Sequence, residues 1–165
     1  MKKLTYLLIL LVLLISNETV AQSEYKAAVG LRVGIPVSAS LKFFITEPGA
    51  LEIHSGFWRD PVGYGFAYFR AGAMYQHHFP IGDIAGFKWY VGGGAFGEFY
   101  NYDDDYIDEP NSTDIGLHAV GGVDYKFSNI PLNVSADWMP TVFLGSGPYG
   151  FRGAYASVAV RYTFR

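Results

Sequence analysis

From Leu132 to Val142 the chain alternates between apolar and polar residues. Leu132, Val134, Ala136, Trp138, Pro140 and Val142 fall on one side, with Asn133, Ser135, Asp137, Met139 and Thr141 on the other. Successive strand side chains point to opposite faces, so this stretch predicts a strand with one greasy face and one that carries an acid. The pattern recurs along the chain. Tyr25, Ala27, Val29, Leu31 and Val33 oppose Lys26, Ala28, Gly30, Arg32 and Gly34, and after Ile35-Pro36 the series Val37 to Ile45 sets Ser38, Ser40, Lys42 and Phe44 on its other face. Leu51, Ile53, Ser55 and Phe57 then oppose Glu52, His54, Gly56 and Trp58. A fourth strand, roughly Tyr64 to Phe79, places Arg70, Gly72, Met74 and Gln76 together, and a fifth sets Trp89, Val91, Ala95 and Phe99 against Gly92, Gly94, Phe96 and Glu98. Ile115 to Phe127 is the cleanest alternation, with His118, Gly122, Asp124 and Lys126 on the polar side, and the last strand sets Ala154 to Phe164 against Tyr155, Ser157, Ala159, Arg161 and Thr163.

Turn chemistry separates these runs. Thr46–Gly49, Pro80–Gly86 and Ser128–Pro131, after strands two, four and six, are compact turns, Asp60–Gly63 and Gly145–Gly150 connect the strands on the other side, and Asn101–Asp114 is long and acidic. Compact turns face the periplasm in outer-membrane barrels, so the acidic loop is expected to face outside. The count is eight strands, an even number that suits an antiparallel up-and-down barrel. Pro140 is awkward there, because proline lacks the ladder N–H and a closed barrel has no free edge. It is expected at a bulge or near the outer rim.

Orientation follows from the charges. The polar faces collect Arg32, Lys42, Glu52, Arg70, Glu98, Asp124, Lys126, Asp137 and Arg161, together with Lys26. Lipid offers such groups no partner, so they are expected inside, as a paired ion network. The apolar faces then meet hydrocarbon. An eight-stranded barrel is just wide enough for side chains to fill, and inward glycines such as Gly30, Gly92 and Gly122 are expected to make room for arginines, Trp58 and Phe96. Outward aromatics gather near strand ends as interfacial girdles, with Tyr25, Trp89, Tyr125, Phe127, Tyr162 and Phe164 at one end and Phe57 and Phe99 at the other.

Composition supports this reading. Met1–Ala21, with Lys2 and Lys3 before an apolar run from Leu7 to Ile15, has the form of a cleaved signal peptide, leaving residues 22–165 as the barrel. That run is too short to cross a bilayer as a helix, which takes roughly 20 residues. There is no cysteine, hence neither a lipoprotein anchor nor a disulfide framework. The formal charge of −3, from 12 basic and 15 acidic residues, shifts to about −4 when Lys2, Lys3 and Glu18 leave with the leader, which disfavours a nucleic-acid partner.

Several segments resemble a known family: Gly30-Leu31-Arg32-Val33-Gly34, Ser40-Leu41-Lys42-Phe43-Phe44, Trp89-Tyr90-Val91-Gly92-Gly93-Gly94, Gly121 to Phe127, Ile130 to Trp138, and Arg161-Tyr162-Thr163-Phe164-Arg165. In order and spacing they are similar to the small outer-membrane β-barrel proteins of the Bacteroidetes, in the broader OmpX/OmpA-like eight-stranded group. The resemblance implies a multi-pass barrel in the cell outer membrane, in contact with lipid and lipopolysaccharide. It also implies a last strand whose aromatics, Tyr162 and Phe164, are read by the barrel-assembly machinery, although here Arg165 follows Phe164.

Candidate chemistry is thin. A Ser/His hydrolase of the lipid A deacylase kind could draw on His118 with Ser135 or His54 with Ser55, but the first pair faces inward and the second lies on opposite faces. Asp103, Asp104, Asp105, Asp108, Glu109 and Asp114 miss the EF-hand spacing and read as a solvated loop, while His77-His78 point oppositely and cannot chelate together. Asn111-Ser112-Thr113 matches a glycosylation sequon of little weight in a bacterial protein. Asp124 and Asp137 read as members of an ion network around Lys126 and Arg161 rather than a catalytic pair. The expectation is therefore no catalytic residue, no metal and no cofactor. The role is structural or surface-interacting, with an unknown surface ligand as a further partner. Passage of small solutes through a narrow lumen and a soluble lipocalin-like binder stand as alternatives.

Overall fold

The computed structural model describes residues 25–59, 66–102, 112–144 and 150–165. The signal peptide and most of the acidic loop lie outside the described residues. Eight antiparallel strands form a closed barrel: β1 (Ala27–Val33), β2 (Val37–Phe44), β3 (Gly49–Arg59), β4 (Phe66–Pro80), β5 (Phe87–Tyr102), β6 (Thr113–Lys126), β7 (Leu132–Phe143) and β8 (Phe151–Phe164). Each pairs with its sequence neighbour, and β1 closes on β8 through a register running from Ala27↔Phe164 to Val33↔Val158. Closure satisfies the backbone groups that an open sheet would leave bare at its edges.

The period-two pattern carries through into burial. Leu31, Val37, Ile53, Leu117, Val158 and Val160 are exposed on the outer wall, while Arg32, Lys42, Glu52, Glu98, Asp124 and Arg161 are buried inside it. Polarity is thus inverted relative to a soluble globule. The few apolar residues buried together inside are Met74, Tyr90, Val120 and Met139, with Tyr155 packed against them.

Four expectations are corrected. Tyr25 is not an outward girdle residue: it precedes β1, so strand alternation does not bind it, and its ring turns in to meet Phe44 edge-on at 5.2 Å. Lys26, expected inside, is exposed for the same reason. The strands also reach further than turn chemistry suggested, since Asn101 and Tyr102 belong to β5 and Thr113 and Asp114 to β6. Finally, the inward glycines chiefly admit neighbouring backbone. A Cβ on Gly92 would stand 1.8 Å from the Tyr75 carbonyl oxygen, and one on Gly30 2.0 Å from that of Val160. Gly116 does accommodate an aromatic, Phe96, whose Cζ would lie 2.2 Å from such a Cβ. Pro140 sits where the β7–β8 register shifts, between Met139 and Thr141.

Candidate functional site

The barrel interior holds three polar clusters stacked along the axis. In the central one Arg32, from β1, donates to Glu52 Oε1 through Nε (3.2 Å) and Nη2 (2.9 Å), and through Nη1 to Asp137 Oδ1 at 2.7 Å. Arg161, from β8, reaches the same Glu52 oxygen at 2.8 Å. One carboxylate therefore serves two guanidinium groups. Neutral side chains complete the shell: Ser40 Oγ (2.7 Å) and Gln76 Nε2 (2.7 Å) donate to Glu52, while the Tyr90 hydroxyl (2.6 Å) and Ser157 Oγ (2.7 Å) donate to Asp137. Arg161 spends its remaining donors on Ser40 (2.7 Å), Ser135 (2.8 Å) and Asn133 (3.3 Å).

Toward the end where β1 begins and β8 finishes, Lys42 Nζ donates to Asp124 Oδ2 at 2.7 Å and lies 2.9 Å from His78 Nε2, and Asn133 donates to the other Asp124 oxygen at 2.7 Å. The His78 ring stands between Phe44 (5.1 Å) and Tyr90 (5.0 Å). Toward the opposite end Arg70 pairs with Glu98, whose second oxygen accepts from Tyr100 at 2.5 Å. The Arg70 guanidinium lies over Phe96 (4.6 Å) and Tyr155 (4.7 Å), where cation–π attraction adds to the ion pair.

Of the ten charged residues expected inside, Lys26 is exposed, and eight of the other nine take part in these three clusters. Lys126 does not: its ammonium caps the β6–β7 turn through the carbonyl oxygens of Phe127 and Ile130. Asp124 and Asp137 are not a pair, and the cations on them are Lys42 and Arg32 rather than Lys126 and Arg161. Gln76, Tyr90, Asn133, Ser40 and Ser157 were not foreseen as ion partners. Their signal, a neutral polar residue on the inward parity of a strand, was present but gives no hint of which ion it serves.

The structure separates the hydrolase candidates. His118 pairs with Thr141 and Ser135 with Asp124, well apart along β6 and β7, and Ser135 is held by Arg161. His54 is buried inward, while Ser55 sits on the other parity of β3. His77 points outward to the Tyr75 hydroxyl at 3.1 Å, and His78 points inward. Tyr162 and Phe164 are exposed on the outer wall with ring centres 5.0 Å apart. Asp103, Asp104, Asp105, Asp108 and Glu109 lie outside the described residues.

What the fold and interior define, among the described residues, is a closed eight-stranded barrel with paired ions inside and apolar side chains outside. No family model and no curated protein matches the sequence. Two solved structures do match in fold: neisserial surface protein A, at 16% identity and a TM-score of 0.56 over 84% of this chain and 93% of that one, and the N-terminal β-barrel domain of Pseudomonas aeruginosa OprF, at 18% identity and 0.55 over 84% and 95%. Both are outer-membrane eight-stranded barrels. At these identities the likeness shows the architecture.

Proposed function

We propose that this chain is an integral outer-membrane protein that crosses the bilayer with its eight strands and has a structural or surface-interacting role. The observation that carries the reading is the inverted polarity: exposed Leu31 (60%), Val33 (61%) and Phe57 (59%) outside, against fully buried Glu52, Lys42 and Arg161 inside. Such an outer wall would be an aggregation liability in water, whereas in lipid it is the required surface. A lipocalin-like binder needs the reverse arrangement of faces. Passage of solutes is disfavoured because bonds from β1, β3, β7 and β8 meet across the lumen at Arg32, Glu52, Asp137 and Arg161.

On this reading the partners are outer-membrane lipid and lipopolysaccharide along the wall, the assembly machinery at Tyr162 and Phe164, and a surface ligand at the outer loops. The segments that resemble the small Bacteroidetes barrels of the OmpX/OmpA-like group support the same placement. Fractionation tests it: the mature chain should be recovered only with detergent from the outer-membrane fraction, running faster on gels before boiling than after. Recovery in the soluble periplasmic fraction would overturn it.

A further inference from the structure

At the end of the barrel where β1 begins and β8 finishes, a pocket of about 450 Å³ lies between the β6–β7 turn and the residues that close β8. Two cations line it, Lys126 and Arg165, and none of its lining side chains is acidic. Neither cation has a carboxylate partner among the described residues. Lys126 gives N–H donors to the carbonyl oxygens of Phe127 and Ile130, which fixes the ammonium in place but leaves its charge unbalanced. Lys88, at the same end of the barrel, differs in standing 3.7 Å from Glu47. Arg165 is exposed, and the α-carboxylate it carries offsets part of the positive charge and leaves the pocket cationic. The turn adds donors. Among the described residues the amides of Ser128, Asn129 and Ile130 give no hydrogen bond to a backbone carbonyl, and successive N–H groups of this kind are a common means by which a turn holds an anion.

We propose that this pocket binds the phosphate of a phospholipid headgroup, with the acyl chains lying along the outer wall. The inference rests on the reading of that wall as lipid-facing. Its second support is where the pocket opens. Tyr162, Phe164 and Ile130 line it as well, and all three are exposed, the two rings with their centres 5.0 Å apart on the outside of the barrel. One cavity therefore joins positive charge and N–H donors to an aromatic surface, which is the division of an amphiphile with an anionic head. Aromatic side chains at the ends of membrane strands sit at headgroup level, so the cations beside them meet phosphates rather than acyl chains. A guanidinium matches two phosphate oxygens at once and an ammonium serves as a point charge, so Arg165 and Lys126 are suited to share one phosphate. Basic pockets at the membrane boundary hold lipid headgroups by this chemistry.

The test is native mass spectrometry of the protein refolded in maltoside and titrated with short-chain phosphatidylglycerol. One equivalent should bind. Lys126→Gln and Arg165→Gln should each lose about tenfold in affinity, the worth of one charge-assisted hydrogen bond, while keeping the heat-modifiable gel shift of a folded barrel. Should Lys126→Gln disturb the turn it caps, the exposed Arg165 decides alone. Lys88→Gln, whose cation is paired with Glu47, should bind as the parent does. Diacylglycerol, which has the tails without the phosphate, should not be retained. No binding by the parent, or binding unchanged in Arg165→Gln, overturns the site. Inorganic phosphate that displaces the lipid at equal concentration gives the pocket to the free anion and overturns the headgroup, and diacylglycerol held as tightly overturns the phosphate. A chain that needs no detergent overturns the membrane reading itself, whereas a detergent-requiring barrel that takes up no phosphatidylglycerol loses only this site.

Discussion

Glu52 is the residue on which the interior turns. Its Oε1 accepts from Arg32, Arg161 and Ser40, and its Oε2 from Gln76, so its loss takes from Arg161 its carboxylate partner and leaves Arg32 with Asp137 alone. Breaking a buried ion pair from one side costs about 3–5 kcal/mol, because the remaining charge has no water to turn to. Asp137→Ala should fall in that range: Arg32 keeps Glu52, but the Tyr90 and Ser157 hydroxyls lose their acceptor. Glu52→Gln should cost more than Asp137→Ala, read as the shift in urea midpoint of the barrel in detergent. An unchanged midpoint and gel mobility in both would mean that the network is not structural. That these residues face inward was legible from parity alone. Their pairing was not, because Lys42 on β2 meets Asp124 on β6 across the lumen, and long side chains spanning a narrow barrel ignore which strands are neighbours.

At the scale of strands, the limits come from backbone contact on one face and an exposed apolar surface on the other. Gly92 on β5 presses against the Tyr75 carbonyl on β4, whereas a Cβ on Gly97 meets nothing nearer than the Phe99 ring at 3.6 Å. Gly92→Ala should therefore prevent β4 and β5 from pairing and abolish refolding into micelles, while Gly97→Ala should refold as the parent does; equal refolding of the two would refute the packing argument. On the outer wall, if that wall meets lipid as proposed, Leu117→Arg should lower the unfolding midpoint in lipid vesicles, by up to about 2–4 kcal/mol the nearer the residue lies to the bilayer midplane. Parity again foretold which face Leu117 occupies. The sequence could not show where strands end, because β5 and β6 continue to Tyr102 and Thr113 through residues whose polar character reads as loop. Nor could it show that Tyr25, one step outside β1, escapes the alternation and closes over Phe44.

For the whole molecule, the three tryptophans sample both sides of the wall. Trp138 and Trp89 are exposed outside, at 52% and 41%, while Trp58 shares the inward parity of β3 with His54 and is half-buried. If the exterior is bathed in lipid and the lumen is filled by its own ions, bromine on the acyl chains reaches the first two and not the third. Single-tryptophan variants, with the other two changed to Phe, separate the cases in vesicles of brominated phospholipid. Strong quenching is expected for Trp138 alone and Trp89 alone, and weak quenching for Trp58 alone. A Trp58 quenched as strongly as Trp138 would place acyl chains inside the barrel, and the four buried arginines and lysines of the three clusters could not then keep their partners, because hydrocarbon supplies none. The fluorescence comparison thus tests the sealed lumen and the lipid-facing exterior in a single measurement, since each is a condition of the other.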